Sequence, residues 1–229
     1  MISKTKKIIL FLAEGPTDEE TLSPILKNIF SNQEIRFHIV HGDLTSNWSV
    51  TLKNVQKKVS KLIEEERKRY GIQKKDILKV VHLVDTDGAF IPEEFVSYKD
   101  IQDVSYSENQ INAKSPKAVI DRNKRKSQIL DSLAQTEQIS SIPYFIYYFS
   151  RNLEHVFHNS SKNLTIEEKV NYADSFADQY EHNPEGFLSL LSQKGLFVPG
   201  SYKETWEYIS KEFNSLKRCS NFYLLFESK

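Results

Sequence analysis

Two short apolar runs of the chain each end in a pair of acidic residues. Glu14 and Asp18 follow the first run, and Asp85 and Asp87 follow the second. Both runs are rich in Ile, Val and Leu and are bounded by Gly or Pro, which is typical of strands buried on both faces. Ligands of open α/β sheets bind beyond the carboxyl ends of the strands, so these four acids are the first candidates for chemistry.

Carboxylates that lie close together repel one another unless a cation lies between them. An alternate-residue pair such as Asp85 and Asp87 offers only oxygen ligands, which suit a hard divalent ion. A single acid at a strand end is equally well explained as a turn residue or a helix cap. Two such pairs are much harder to explain in that way. The sequence therefore predicts one or two Mg²⁺ or Mn²⁺ ions bound by Glu14, Asp18, Asp85 and Asp87.

The scaffold for these acids is predicted from alternating strand and helix patterns. Strands are expected at residues 7–13, 36–40, 77–84 and 142–149. Since strand–helix–strand units form right-handed crossovers, we expect an α/β fold with a mostly parallel four-stranded sheet flanked by helices. Periodicity after residue 160 is mostly helical. We therefore predict a catalytic domain over residues 1–160 and a helical C-terminal extension over residues 161–229 that packs on it.

Several boundaries follow from periodicity and capping residues. A long amphipathic helix is predicted over residues 48–70, and another over residues 202–216. Residues 89–112 have weak periodicity, and we expect an extended segment over the site. Residues 222–226 are expected to form a short edge strand or a packing tail. The spacing of Thr165 and Glu168 predicts a capping box at a helix start.

The acidic motifs resemble those of a known family. Glu-Gly-x-x-Asp after a first strand, followed later by Asp-x-Asp after another, is similar to the Toprim domain. That domain occurs in topoisomerases, bacterial primases, small RNA-maturation nucleases and the overcoming-lysogenization-defect (OLD) nucleases of phage defence. The form EGPTDEE, in which Asp18 lies four residues after Glu14, is most similar to the last group. The resemblance covers roughly the first half of the chain.

This resemblance implies a Toprim-like fold and a metal-dependent nuclease that hydrolyses phosphodiester bonds. Asp85 and Asp87 would be the principal metal ligands, assisted by Asp18, and Glu14 would be a ligand or a general acid/base. Asp43 would be a second-tier metal or water ligand. In such a site one ion activates water and another stabilises the leaving oxygen. No separate domain for a catalytic tyrosine fits in the chain, which favours a nuclease over a topoisomerase.

A third candidate region follows the last predicted strand. Arg151 can hold a phosphate by bidentate hydrogen bonds. Glu154 resembles in position a further Glu of some Toprim nucleases, and it is equally explained as an acid in a first helical turn. His155 and His158 have a spacing that can bind Zn²⁺, but no third nitrogen or thiolate ligand lies nearby, which favours surface or capping histidines.

The chain carries one strongly basic stretch although its formal net charge is zero. A contact with a polyanion is one interpretation of this stretch, and a solvent-exposed helix start is the other. In the first interpretation the nucleic acid, with DNA favoured over RNA, contacts Lys114, Lys117, Arg122, Lys124, Arg125 and Lys126.

The length and composition of the chain indicate its size class and its cellular environment. The chain has 229 residues with 39% apolar content, enough for one large domain or a domain with an appended lobe. The single Cys219 excludes an intramolecular disulfide, and we expect a soluble cytoplasmic protein with no membrane partner. OLD nucleases normally have an ATPase domain fused before the Toprim domain. Because this sequence has none, the resemblance implies a stand-alone nuclease or one whose ATPase is a separate subunit.

Two other functions fit parts of the sequence. The stretch LVDTDGAF also resembles the haloacid-dehalogenase motif Asp-x-Asp-Gly-Thr, in which the first Asp accepts a phosphate. Ala89 replaces the usual Thr, and Glu14 would then have no role. A catalytically silent Toprim-like module that binds nucleic acid or a partner is the other alternative.

Overall fold

The computed structural model of the protein, which describes residues 6–40, 42–160 and 162–227, is an α/β structure. The strands in chain order are β1 (Ile8–Ala13), β2 (Glu34–Ile39), β3 (Ile77–Asp85), β4 (Val96–Tyr98), β5 (Ser105–Tyr106), β6 (Ile111–Ala113), β7 (Gln138–Ile139) and β8 (Ile142–Phe149). The α-helices are α1 (Pro16–Ile29), α2 (Val55–Tyr70), α3 (Pro116–Ala134), α4 (Leu153–His158), α5 (Ile166–Tyr180), α6 (Pro184–Leu191), α7 (Tyr202–Ile209) and α8 (Leu224–Glu227).

The central sheet has the strand order β2-β1-β3-β8-β7. The four strands predicted from the sequence are present and pair in parallel, but β7 runs antiparallel to β8 at the edge. The expectation of four strands was therefore incomplete, and the sheet is mixed. The additional strand, β7, has only two residues, which are too few to show the alternation of apolar and polar residues that predicts a strand. A tight turn with positive φ at Ser140 and Ser141 joins it to β8.

Helices cover both faces of this sheet, because alternate residues of the strands point to opposite sides. On one face, Leu10, Val80 and Tyr148 pack with helices α2, α3 and α7. On the other face, Phe11 and Tyr147 pack with helices α1, α4, α5 and α6. Burial of both strand faces explains why the strands have continuous apolar sequences.

The segment over residues 89–112 folds differently from the extended chain that we expected. It forms a second sheet with the order β4-β6-β5, in which β4 and β6 are parallel and β5 is antiparallel. Ile91, Val96 and Ile111 of this segment pack against Val119 of α3 and against Leu216. Strands of two or three residues give no reliable alternation, so long-range packing decides this structure.

Some helix boundaries differ from the predicted ones. Helix α2 begins at Val55 rather than at residue 48, because the preceding residues form turns in which Asn47 and Asn54 side chains accept backbone N–H bonds. Helix α7 ends at Ile209, well before residue 216. Residues 222–226 form no edge strand. They pack into the core, as the alternative of a packing tail predicted, with Phe222, Tyr223 and Leu225 buried, and Leu224–Glu227 is a short helix. The capping box at Thr165 is present.

The C-terminal part of the chain contacts the central sheet directly. Helix α5 packs along α1, and Trp206 and Ile209 of α7 are buried against one sheet face. The amide of Cys219 donates to Ser150 Oγ at 2.9 Å, and Asn221 Oδ1 accepts from the amide of Tyr148 at 2.9 Å. Among the described residues, no helix is long and apolar enough to cross a membrane.

Candidate functional site

The carboxyl ends of three neighbouring parallel strands bring the acidic motifs together. Glu14 follows β1, and its Oε1 accepts a hydrogen bond from the amide of Asp85 at the end of β3 (3.4 Å). Asp85 Oδ1 in turn accepts from the amide of Leu153, where α4 begins after β8 (3.1 Å). Two of the four acids predicted from the sequence are thus joined across the strand ends.

Asp18 lies in the first turn of α1, next to the same sheet edge. Its Oδ2 accepts a hydrogen bond from the amide of Gly15, the N-cap residue, at 3.0 Å. Burial raises the pKa of Asp18 to about 6, and the nearby charge of Glu154 acts in the same direction, whereas the Gly15 amide lowers it. Helix capping therefore holds the Asp18 carboxyl in place while its surroundings oppose its ionisation.

Asp87 is held in a strained turn immediately after β3. Its φ is +48°, in the left-handed region that residues other than glycine rarely adopt, and Gly88 follows with φ +66°. The amide of Asp87 donates to the carbonyl of Arg151 (2.9 Å), and the amide of Arg151 donates to Thr86 Oγ1 (2.9 Å). These bonds tie the turn after β3 to the residues that follow β8. Strain of this kind often marks functional sites.

A fully buried lysine joins Asp87 to a second carboxylate. Lys126 Nζ lies 2.6 Å from Asp87 Oδ2 and 2.6 Å from Asp43 Oδ2. Burial on its own would lower the pKa of Lys126, but the two carboxylates outweigh it and raise that pKa. In the same way, burial would raise the pKa of Asp43, but Lys126 lowers it well below its usual range. Lys126 is therefore an ammonium ion that neutralises part of the acidic cluster.

The carboxyl groups of Glu14 and Asp85 lack enough nearby positive charge to balance their own negative charges. Burial, followed by repulsion from Glu14 and Asp18, raises the pKa of Asp85 well above its usual range. Burial and the charge of Asp43 raise the pKa of Glu14 in the same direction, although Lys126 opposes this shift. Carboxylates with such raised pKa values accommodate either protons or an additional cation.

The four acids have the right type of ligand atom for a hard divalent ion, but their side chains are not close enough together to bind one. Carboxylate oxygens are the ligands that Mg²⁺ and Mn²⁺ prefer. Across residues 6–40, 42–160 and 162–227, however, no three His, Cys, Asp or Glu side chains converge closely enough to hold a metal ion as they stand. A metal ion would therefore require side-chain rotation at Glu14, Asp85 or Asp87.

Two arginines and a tyrosine form a basic rim beside Asp87. Arg122 Nη2 donates to the carbonyl of Asp87 at 2.9 Å, and its Nη1 donates to Tyr106 Oη at 3.3 Å. The guanidinium of Arg151 lies 4.9 Å from the centre of the Tyr106 ring. Arg151, a candidate from the sequence, thus lies at the site, and so does Arg122, for which the sequence predicts a contact with nucleic acid.

Glu154 is close to the acidic cluster but is already paired. Its side chain is buried, and its Oε1 lies 2.7 Å from Nζ of Lys169 on α5. Its charge nevertheless raises the pKa of Asp18 and Asp85. Glu154 therefore belongs to the same electrostatic cluster, with Lys169 as its counterion.

The two histidines of α4 have other contacts. His155 Nδ1 lies 3.2 Å from the carbonyl of Ser150, and the ring is buried. The ring of His158 stacks on Tyr172 at 4.6 Å. The preference for surface or capping histidines is therefore wrong for His155, which is buried, because α4 packs against the core on one sheet face.

The basic stretch divides between the site and the surface. Lys114 and Lys124 are exposed and lie near Asp100 and Glu93, at 3.7 and 2.8 Å, and Lys117 is also exposed. The other three residues of the stretch do not extend freely into solvent: Arg122 and Lys126 contact the acidic site, and Arg125 stacks on the ring of Trp48.

The role of Lys126 was missed by sequence reasoning, although a signal for it exists. The buried positions of α3 include Val119, Asn123, Lys126 and Leu130, which follow one another at spacings of three and four residues. A lysine on the apolar face of a helix requires a buried partner. Nothing in the sequence indicated that Asp87 and Asp43 would be those partners, nor that Lys169 would pair with Glu154.

Comparisons with protein-family models, with curated proteins and with solved structures found no match to this chain.

Proposed function

We propose that the chain is a metal-dependent nuclease that uses Mg²⁺ or Mn²⁺ to hydrolyse phosphodiester bonds of nucleic acid. The observation that carries this proposal is the meeting of Glu14, Asp18, Asp85 and Asp87 at the carboxyl ends of β1 and β3. Partly buried acids that repel one another in this way are suited to binding a divalent cation. The α/β class and the four parallel strands of the mixed sheet support this proposal.

In this proposal Glu14, Asp85 and Asp87 would hold a divalent ion, and Asp18 fixes the entry to α1 beside them. Such an ion would supply an activated water and stabilise negative charge on the leaving oxygen. The ammonium group of Lys126 keeps Asp43 and Asp87 in place. Burial and the charge of Asp43 raise the pKa of Glu14, which favours a role for its carboxyl as a metal ligand or as a general acid/base.

The basic rim has a separate task in this proposal. Arg151 and Arg122 lie on the Asp87 side of the site, where they can attract the phosphate backbone and stabilise charge on the scissile phosphate. Lys114, Lys117 and Lys124 are exposed and are the remaining candidates for contacts with the nucleic-acid backbone, with DNA the favoured polymer.

The test is a cleavage assay with supercoiled DNA, linear DNA and a structured RNA in Mg²⁺, Mn²⁺ or EDTA. Glu14→Gln and Asp85→Asn preserve side-chain size and remove a charge, and we expect each to lower cleavage at least 100-fold. Glu65→Gln is the matched control, because Glu65 is half exposed on α2 and pairs with Lys61. Full metal-dependent activity in Asp85→Asn would contradict the proposal.

A catalytically silent binding module remains the second candidate, and one observation favours it. The Lys126 ammonium already lies between Asp43 and Asp87, where it reduces the need for a metal ion. A binding module would retain nucleic acid equally well in EDTA and in the Asp85→Asn variant.

An assay with p-nitrophenyl phosphate in parallel tests the haloacid-dehalogenase-like phosphatase, which would release nitrophenol.

We also propose that a separate ATPase subunit and a role in phage defence accompany the nuclease activity, as the similarity of the first acidic motif to OLD nucleases implies. Cleavage by the purified chain alone would count against an obligatory ATPase. Cleavage that appears only with a copurifying ATPase, and that Asp85→Asn abolishes, would support one.

A further inference from the structure

An exposed tryptophan follows the turn that begins at Asp43 of the acidic cluster. Trp48 is 69% exposed, the largest exposure among the tryptophans and tyrosines of the described residues. The guanidinium carbon of Arg125 lies 3.7 Å from the centre of the indole ring. Because Arg125 covers one face of the ring, an exposure this large leaves the other face open to solvent.

The arrangement is held by polar contacts on both of its sides. Arg125 donates from Nη2 to the carbonyl of Ser46, two residues before Trp48. Asp43 Oδ1 accepts from the amides of Thr45 (2.7 Å) and Ser46 (3.1 Å), which fixes the turn between the site and the tryptophan. The indole is thus presented on a structured turn.

The same turn connects the indole to the acidic site. Asp43, at the start of the turn, contacts Lys126, and Lys126 contacts Asp87. Arg125 is the chain neighbour of Lys126 on α3. One face of an aromatic ring, supported by a cation, therefore lies five residues along the chain from Asp43 and next to the residue that precedes Lys126, and both of these residues belong to the acidic cluster.

We propose that Trp48, supported by Arg125, is a stacking platform for an unpaired base of a single-stranded nucleic acid that enters the acidic site. An open indole face stacks on any base, and the guanidinium behind it adds positive charge near the backbone. Bases inside a duplex are already stacked on their neighbours and cannot use such a platform. The inference deepens the proposed nuclease function by naming its substrate class, and it rests on that function for the cleavage step.

The first experiment measures affinity for a fluorescently labelled single-stranded oligonucleotide and for its blunt duplex, with Ca²⁺ in place of Mg²⁺ so that binding is read without turnover. We expect Trp48→Ala to weaken single-strand binding by about 5- to 150-fold, the range found for loss of one stacked base. Trp48→Phe should retain most of the affinity, and duplex binding should change little. Tyr98→Ala is the matched control, because Tyr98 is 67% exposed on the second sheet.

A second experiment asks whether a base is the contacting group. Oligonucleotides with a single abasic position are scanned against the wild-type protein and against Trp48→Ala. One abasic position should weaken binding to the wild type and leave binding to the variant unchanged. The chain has only two tryptophans, and Trp206 is buried, so a Trp206→Phe background assigns quenching by the oligonucleotide to Trp48.

Several results would overturn the inference. These are an unchanged single-strand affinity in Trp48→Ala, an equal loss for single strand and duplex, or no binding of any oligonucleotide. If Trp48→Ala binds the single-stranded oligonucleotide as tightly as the wild type does, but no longer self-associates as the wild type does, Trp48 would instead be part of a protein-docking surface. Failure of the nuclease function gives a different pattern, in which Trp48-dependent binding is present but no metal ion supports cleavage.

Discussion

At the scale of single residues, one ammonium group balances the charge of the acidic site. Lys126 is completely buried, and its two partners are Asp43 and Asp87. A buried ion pair contributes little net stability compared with an apolar replacement of the whole group, but removal of one partner leaves buried charges uncompensated. The lysine therefore matters more to the folded site than its place in a basic stretch suggested.

We expect Lys126→Met to lower the free energy of unfolding by about 3–5 kcal/mol in metal-free buffer, because Asp43 and Asp87 then repel each other. Added Mg²⁺ should recover part of this loss, since a divalent ion can replace the ammonium. Urea denaturation followed by circular dichroism measures both effects. Lys124→Met is the control, because Lys124 is exposed, and equal stability of the two variants would contradict the electrostatic role of Lys126.

The raised pKa of Asp85 gives a pH dependence with a definite sign. The folded protein holds the Asp85 proton more tightly than the unfolded chain does. This contribution to stability is fully present below the unfolded pKa and is lost as the pH rises through the folded pKa. At pH 8 the wild-type protein therefore bears a cost that an uncharged side chain avoids.

Asp85→Asn should accordingly raise the Tm in EDTA at pH 8 by about 2–6 °C, and the difference should shrink as the pH falls toward 4. The amide oxygen of Asn can still accept the bond from Leu153. Differential scanning calorimetry across this pH range makes the comparison. Asp121→Asn, at an exposed acid of α3, should show no such trend, and a pH-independent gain in Asp85→Asn would refute this explanation.

At the scale of elements, the turn after β3 decides where Asp87 points. Gly88 has φ +66°, and a Cβ atom there would lie 2.6 Å from Leu216 Cδ2 and 3.0 Å from Ile111 Cδ1. Both contacts come from distant parts of the chain, the second sheet and the segment after α7. The turn geometry is therefore enforced by packing as well as by the glycine itself.

Gly88→Ala should lower the free energy of unfolding by about 2–4 kcal/mol, from the strained φ and from the clash with Leu216. Gly71→Ala separates the two causes, because Gly71 has φ +64° and open space around it, and it should cost only about 1 kcal/mol. Chemical denaturation of both variants tests this. Equal losses would show that the contact with Leu216 relaxes without cost.

At the scale of the whole molecule, the two predicted domains share their cores. Trp206 and Ile209, from the predicted C-terminal extension, pack with Tyr148 and Val80 of the central sheet. On the other face, Phe222 packs with Phe149 at 5.6 Å between ring centres. Residues that fill one core lose their contacts together, so the two parts should not unfold independently.

We therefore expect one cooperative unfolding transition, in which circular dichroism and tryptophan fluorescence change together. Trp206 reports on the contact of α7 with the sheet. Trp48 belongs to the predicted catalytic domain over residues 1–160 and reports on that part of the chain. The Trp206→Phe and Trp48→Phe variants separate the two signals. Two transitions with different midpoints would show that the C-terminal part is an independent unit.

The sequence by itself determined the strands and the acids at their ends. Apolar runs rich in Ile, Val and Leu identify β1 and β3, and an aromatic and apolar run identifies β8. Glu14 and Asp85 follow from where the first two runs stop. The expected α/β class is also what the structure has. These features depend on patterns of apolar and acidic residues within short stretches of sequence, so they can be predicted without knowledge of tertiary contacts.

The tertiary structure decided the charge partners, the small strands and the exposed platform. Lys126 reaches Asp43 across 83 residues of sequence, and Trp48 meets Arg125 only because the turn after β2 packs on α3. Strand β7 has two residues and depends on its pairing with β8. Such contacts join parts of the chain that no local pattern relates, and they arise only when the helices pack on the sheet.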